Sequence, residues 1–120
     1  MQNNDVRSPA WCAQEQLEAY NARDIDRFVA VYSDDIELID LVTGETFCSG
    51  SEALRKRYGP MFSEKTDLYC TLVTRIVCGD VVYDEEQVSG LVQDTVVHAV
   101  ATYLVVNGHI TKAWFVRERS

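Results

Sequence analysis

Residues Thr95–Arg117 read TVVHAVATYLVVNGHITKAWFVR, two runs rich in Val, Thr and aromatics on either side of Asn107-Gly108. Asn-Gly between such runs is the strongest short signal for a two-residue hairpin, because both central residues of that turn need positive φ. Thr95–Val106 and Ile110–Arg117 are therefore read as antiparallel strands. Working backward, Leu68–Cys78 and Val81–Leu91 have the same character, and Gly79-Asp80 separates them. Four long strands joined in order by short links imply an antiparallel meander whose one face is covered by helices.

The covering layer lies upstream. Ser8-Pro9 offers an N-cap followed by proline at the first helical position, and Ala10, Ala13, Leu17 and Tyr20 recur at helical spacing. Asp24 caps a second helix with Ile25, Phe28, Val29 and Tyr32 on one stripe. Ile36–Leu41 alternates as a short strand, with Ile36, Leu38 and Asp40 on one face, and Thr43-Gly44-Glu45 turns it toward Thr46-Phe47-Cys48. Ser51 is expected to cap a third helix carrying Leu54, Tyr58, Met61 and Phe62, which Gly59-Pro60 should kink or end. The chain divides into a disordered N-terminus over residues 1–7 and a single domain over 8–120.

Composition narrows the partners. With 47% hydrophobic and 25% charged residues the chain is far from the signature of disorder. A formal charge of −8 argues against nucleic acid, whose binding rests on clustered Lys and Arg, and disfavours anionic membrane surfaces. No apolar run approaches the ~20 residues that span a bilayer, and the first residues lack the basic and apolar regions of a secretory signal. A cytoplasmic location is expected. Cys12, Cys48, Cys70 and Cys78 include no Cys-x-x-Cys pair, and His98 and His109 give no metal-ligand spacing. No metal or cofactor is expected, and the cysteines read as small buried residues.

The segment Asn21–Gly44, NARDIDRFVAVYSDDIELIDLVTG, resembles the same region of ketosteroid isomerases, and Gly50-Ser51-Glu52-Ala53-Leu54-Arg55 matches their Gly-x-x-Ala-Ile/Leu-Arg helix start. With the element order, the resemblance covers nearly the whole chain and points to the nuclear transport factor 2-like superfamily, which includes SnoaL-like polyketide cyclases. It implies an α+β cone: a curved antiparallel sheet packed against three N-terminal helices, enclosing an apolar pocket and dimerised through the sheet. Carried over, Asp40 falls on the position of the general base that shuttles a proton beside a carbonyl. The isomerase oxyanion donors, a tyrosine and a protonated acid, do not carry over. Their positions hold Gln16 and Thr102, which still donate hydrogen bonds.

His98 shares strand parity with Thr102 and is expected to face the same pocket as a proton shuttle or a partner of Asp40. Tyr20, Tyr58 and Trp114 are expected to touch a ligand, the last two from their positions in the resembling fold. Asp84-Glu85-Glu86 reads as a solvated or edge-protecting run, and Arg55-Lys56-Arg57 as a solvated helix face. Two functions fit. The first is an enzyme abstracting a proton next to the carbonyl of a small apolar molecule. The second is a non-catalytic ligand-binding or homodimeric assembly module of the same fold.

Overall fold

Ser8 opens the first helix as its spacing predicts: the hydroxyl accepts the Trp11 amide at 3.1 Å, and Pro9 takes the first helical position, where a missing N–H is harmless. A computed structural model describes residues 7–118, with α1 at Pro9–Ala22 and α2 at Ile25–Val29. The side chain of Asp24 caps α2 by accepting the Arg27 amide at 3.1 Å. Of the N-terminal stretch expected to lack order, residues 1–6 lie outside the described residues. Arg7 is anchored, its Nε donating to the Gly108 carbonyl at 2.7 Å and its guanidinium stacking over Trp11.

Tyr32 departs from the expected helical stripe. It begins strand β1, Tyr32–Asp40, paired with Ile110. Ladder pairing and a Val31-Tyr32 sequence that favours strands outweigh the helical spacing. Strand β2, Thr46–Ser49, returns beside β1, and α3 spans Ser51–Glu64. The N-cap of α3 is Gly50 at φ 92°, a backbone conformation that Ser51 would resist, so Ser51 becomes the first helical residue. Pro60 stands inside α3 without ending it, because Phe62 beyond it is held in the core at 4% exposure.

Strands β3 (Tyr69–Cys78), β4 (Val81–Val92), β5 (Thr95–Val106) and β6 (His109–Arg117) follow as read. Asn107 and Gly108 both adopt positive φ, as the hairpin requires. The six strands form one curved, unclosed sheet in the order β2-β1-β6-β5-β4-β3. Neighbours are antiparallel except β1 and β6, which run parallel and join the short N-terminal hairpin to the meander. The chain is thus an α+β roll with a single parallel seam.

The strand registers sort side chains onto two faces. Val82, Asp84, Glu86 and Val88 of β4 stand opposite Tyr103, Ala101, Ala99 and Val97 of β5 on the inner face, under the helices. Tyr83, Glu85 and Gln87 stand opposite Thr102, Val100 and His98 on the outer face. Cys12, Ala13 and Ala19 of α1 are fully buried against Ile36, Leu54, Val82 and Ile110. All four cysteines are free thiols; Cys12, Cys48 and Cys70 are buried as expected, but Cys78, at the end of edge strand β3, is exposed.

Candidate functional site

Between the concave face of the sheet and the helices lies a half-open cavity of about 1070 Å³, just above the usual size of small-molecule sites. Its walls carry Tyr20, Phe28, Tyr32, Tyr58, Tyr103 and Phe115. These rings come from six elements and pack edge to face or tilted, as Tyr103 on Phe115 at 6.3 Å and Phe28 on Tyr58 at 4.9 Å. Exposed residues of the β1–β2 turn, of α3 and of the end of β6 form its rim.

The acidic run on β4 is not solvated. Asp84 is 0% exposed and Glu86 8%, both pointing inward, while Glu85 between them points out. Alternate strand residues share a face, so three consecutive acids deliver two to the interior. Asp84 is held by a two-pronged bond from Arg75, Nε to Oδ1 at 2.7 Å and Nη2 to Oδ2 at 2.9 Å. The Arg75 Nη1 donates further to Gln14 on α1 at 2.9 Å. Arg75 reaches this face because β3 bulges at Val73: Leu72 pairs with Glu86 and Thr74 with Glu85, and the extra residue turns Arg75 inward opposite Asp84.

Glu86 lacks such a partner in the described hydrogen bonds to cations and behaves differently. Burial pushes its carboxyl up, the Asp84 carboxylate pushes the same way, and the Cys70 thiol and Arg75 pull back, leaving it at about 7. Desolvation dominates, as for any carboxyl whose charged form loses water. Cys70 is itself pushed well above its ordinary value, first by burial and then by Glu86. The phenols of Tyr20, Tyr32, Tyr58 and Tyr103 are all raised, chiefly by burial, and stay protonated as hydrogen-bond donors. A buried carboxyl that titrates near neutrality beside protonated phenols is an arrangement able to give and take a proton.

The residues singled out from sequence divide. Gln16, Tyr20 and Tyr58 line the cavity. Gln16 is internally satisfied, accepting from the Tyr32 hydroxyl at 3.2 Å and donating to the Ala13 carbonyl at 3.0 Å. Asp40 also lines the cavity, near the rim, where its Oδ1 accepts the amides of Val42 and Thr43 at 2.9 Å each. It therefore organises the β1–β2 turn.

Thr102 and Trp114 do not reach the cavity. They pair with each other on the outer face, between Tyr83 and Ile39. Counting back from the Asn107-Gly108 turn placed Thr102 inward, but Ala101, Tyr103 and Val105 take the buried places along β5 and Thr102 stands one residue off; on β6 the pairing slips between Leu104 and Val105, leaving Thr111 extra and turning Trp114 outward. A one-residue error of register moves a side chain to the opposite face. His98 shares that outer parity and meets the cavity only at its rim. Its Nδ1 lies 2.6 Å from Glu118 and its Nε2 2.8 Å from Glu85. Those two carboxylates, Glu118 more than Glu85, raise its proton affinity and occupy both ring nitrogens. Among the described residues no group of three or more His, Cys, Asp or Glu side chains is placed to hold a metal ion, and no helix is long and apolar enough to cross a membrane.

The fold is shared with solved structures. A cystatin-fold protein from Novosphingobium aromaticivorans superposes with a TM-score of 0.82 at 23% identity, covering 92% of this chain and 98% of that one. A proposed ketosteroid isomerase from Kribbella flavida gives 0.78 at 17% identity, covering 97% and 82%. A proposed polyketide cyclase from Sinorhizobium meliloti gives 0.73 at 17% identity, covering 88% and 93%. No curated protein matches the chain. The model of the SnoaL-like domain matches residues 13–113, from the first helix through the last strand. The chain belongs to the SnoaL-like domain family, within the nuclear transport factor 2-like superfamily.

Proposed function

We propose that the chain binds a small, largely apolar carbonyl compound in this cavity and moves a proton beside the carbonyl, with Glu86 holding that proton. The observation that carries the reading is a carboxyl 8% exposed on the cavity wall whose charge changes at about pH 7. Such a group is half ionised at neutral pH, so one residue serves as base and then as acid. As a carboxylate, Glu86 takes a proton from the carbon next to the carbonyl, and the electron pair moves onto the carbonyl oxygen. As a carboxylic acid it returns the proton to the opposite face of that carbon or, where a C=C adjoins it, to the far end of that double bond as the double bond shifts into conjugation, and the carbonyl is restored, a rearrangement needing no cofactor. Tyr20 and Tyr58 supply phenol donors toward the developing oxyanion. Solved relatives named for isomerase and cyclase chemistry support the reaction class.

In this reading Asp40, which resemblance makes the base, gives its carboxylate to the β1–β2 turn, and His98 gives its ring to Glu118 and Glu85. The test is turnover of enolisable ketones and lactones by the wild type, Glu86→Gln and Asp40→Asn. Loss of the mobile proton in Glu86→Gln lowers kcat by 10²-fold or more, whereas Asp40→Asn stays within a few-fold. Unchanged turnover in Glu86→Gln sinks the reading.

The outer sheet face favours a second, compatible role in homodimer assembly. Ile76 and Tyr83 stand 55% and 40% exposed there, neighbours across β3 and β4, and Thr102 and Trp114 continue the surface across β5 and β6. An exposed apolar patch on a sheet face, here rimmed by the polar Glu85, Gln87 and His98, is a common seat of a two-fold contact.

A further inference from the structure

Two arginines from distant parts of the chain stand on the cavity rim, and both act on the Tyr58 phenol. Arg57 comes from α3 and Arg117 from the end of β6, and both line the cavity. The chain holds 11 basic against 19 acidic residues, yet neither arginine makes an ion pair with a described carboxylate. Arg57 is held by packing: its guanidinium lies 4.6 Å above the Phe47 ring, and Phe47 packs on Phe115 at 6.2 Å. Stacking on an aromatic face orients a guanidinium while leaving its N–H fork open. Arg117 lies on the inner strand parity, opposite Ala99 and two residues beyond Phe115.

The fields of both arginines reach inward. Burial raises the Tyr58 phenol above its ordinary value, and Arg57 and then Arg117 pull it back. Of the acids on the same rim, Glu118 is bonded to His98 and Asp40 accepts the turn amides, and Glu45 is the other exposed carboxylate that lines the cavity. The Arg55-Lys56-Arg57 stretch thus splits: Arg55 pairs outward with Asp26 at 2.6 Å, and Arg57 turns to the cavity.

We infer that Arg57 and Arg117 form an anion-binding subsite at the cavity mouth, so that the ligand is an amphipathic molecule with a carboxylate at the rim and an apolar body inside. This rests on the small-molecule reading above and names its substrate class. A carboxylate suits two guanidinium forks, and the aromatic wall behind them suits a ring or short hydrocarbon. The ligand carboxylate lies at the opening, away from Glu86 on the inner wall.

The test is calorimetric binding of phenylpropanoate, naphthoate and octanoate, each compared with its uncharged primary amide, to the full chain at pH 7. The carboxylates are expected to bind at least tenfold tighter than the amides, with affinity falling as salt rises. Arg57→Gln and Arg117→Gln each weaken carboxylate binding about tenfold, the loss of one charge-assisted contact, and leave amide binding unchanged. Arg57→Lys recovers part of the loss, and Glu45→Gln strengthens carboxylate binding. Both arginines are exposed, so these variants keep the fold, which thermal unfolding checks. Equal binding of carboxylates and amides, or equal weakening of both in the arginine variants, overturns the subsite and leaves the cavity reading intact. Binding of no member of either series overturns the cavity reading and this inference with it.

Discussion

Glu86 couples the chemistry of the site to the stability of the fold. An ordinary glutamate titrates at 4.5 and this one at about 7, so between those values the folded chain holds a proton that the unfolded chain has lost. The associated stability is fully present below about pH 4.5 and is lost as pH rises through about 7. A shift of that size corresponds to about 3 kcal/mol. Wild type is thus expected to lose about 3 kcal/mol relative to Glu86→Gln between pH 4 and pH 8.5, measured by urea unfolding of both proteins across that range. Parallel pH profiles would mean that Glu86 titrates normally. His98 changes in the same sense: its raised proton affinity makes the contacts to Glu118 and Glu85 strongest at low pH and weakens them as pH rises through its titration. Asp40 was legible from strand parity and from the resembling segment, and it does face inward. Glu86 was hidden in a run of three acids that looked solvated, although an i, i+2 pair flanking an outward residue is the signal that would have found it.

At the level of elements, local rules account for the helices and the hairpins. Ser8, Asp24 and Asn107-Gly108 act as their residue types dictate. Asn21 is subtler. Its side-chain amide donates to the Cys70 carbonyl at 2.9 Å and accepts the Cys70 amide at 2.7 Å, so the end of α1 stands in for a missing strand partner along edge strand β3. This clamp places Cys70 beside Glu86, and nothing local to Asn21 announces it. Gly90 marks another long-range demand. It sits at φ +78° where the β4–β5 register slips, and a Cβ there would lie 2.3 Å from the Asp67 carbonyl oxygen. Gly90→Ala combines left-handed strain with a clash against backbone that has no side chain to move aside. It is expected to cost 2 kcal/mol or more, read from the urea midpoint, because the link between α3 and β3 must shift away from β4. A loss below 0.5 kcal/mol would show that the crossing is loose.

On the scale of the whole molecule, the sheet presents one face to the helices and cavity, and on the other it exposes Ile76 and Tyr83 among polar neighbours such as Glu85, Gln87 and His98. If that outer face seats a second copy, sedimentation should report a dimer for wild type and a monomer for Tyr83→Glu, since a charge at the centre of such a contact is desolvated without a partner. A monomeric wild type at micromolar concentration would discard the assembly role. The fold class, the element order and most strand limits were determined by the sequence alone, because caps, turns and side-chain periodicity act over a few residues. The family resemblance added an inward-facing Asp40 on the same local basis. Tertiary structure alone decided which face each strand residue takes. The bulge at Val73 turns Arg75 to Asp84, the extra Thr111 on β6 turns Trp114 outside, and the parallel seam brings Phe115 beside Asp40. It also decided that Glu86 is buried and protonatable near neutrality, because desolvation depends on what packs around a carboxyl and not on its neighbours in the chain.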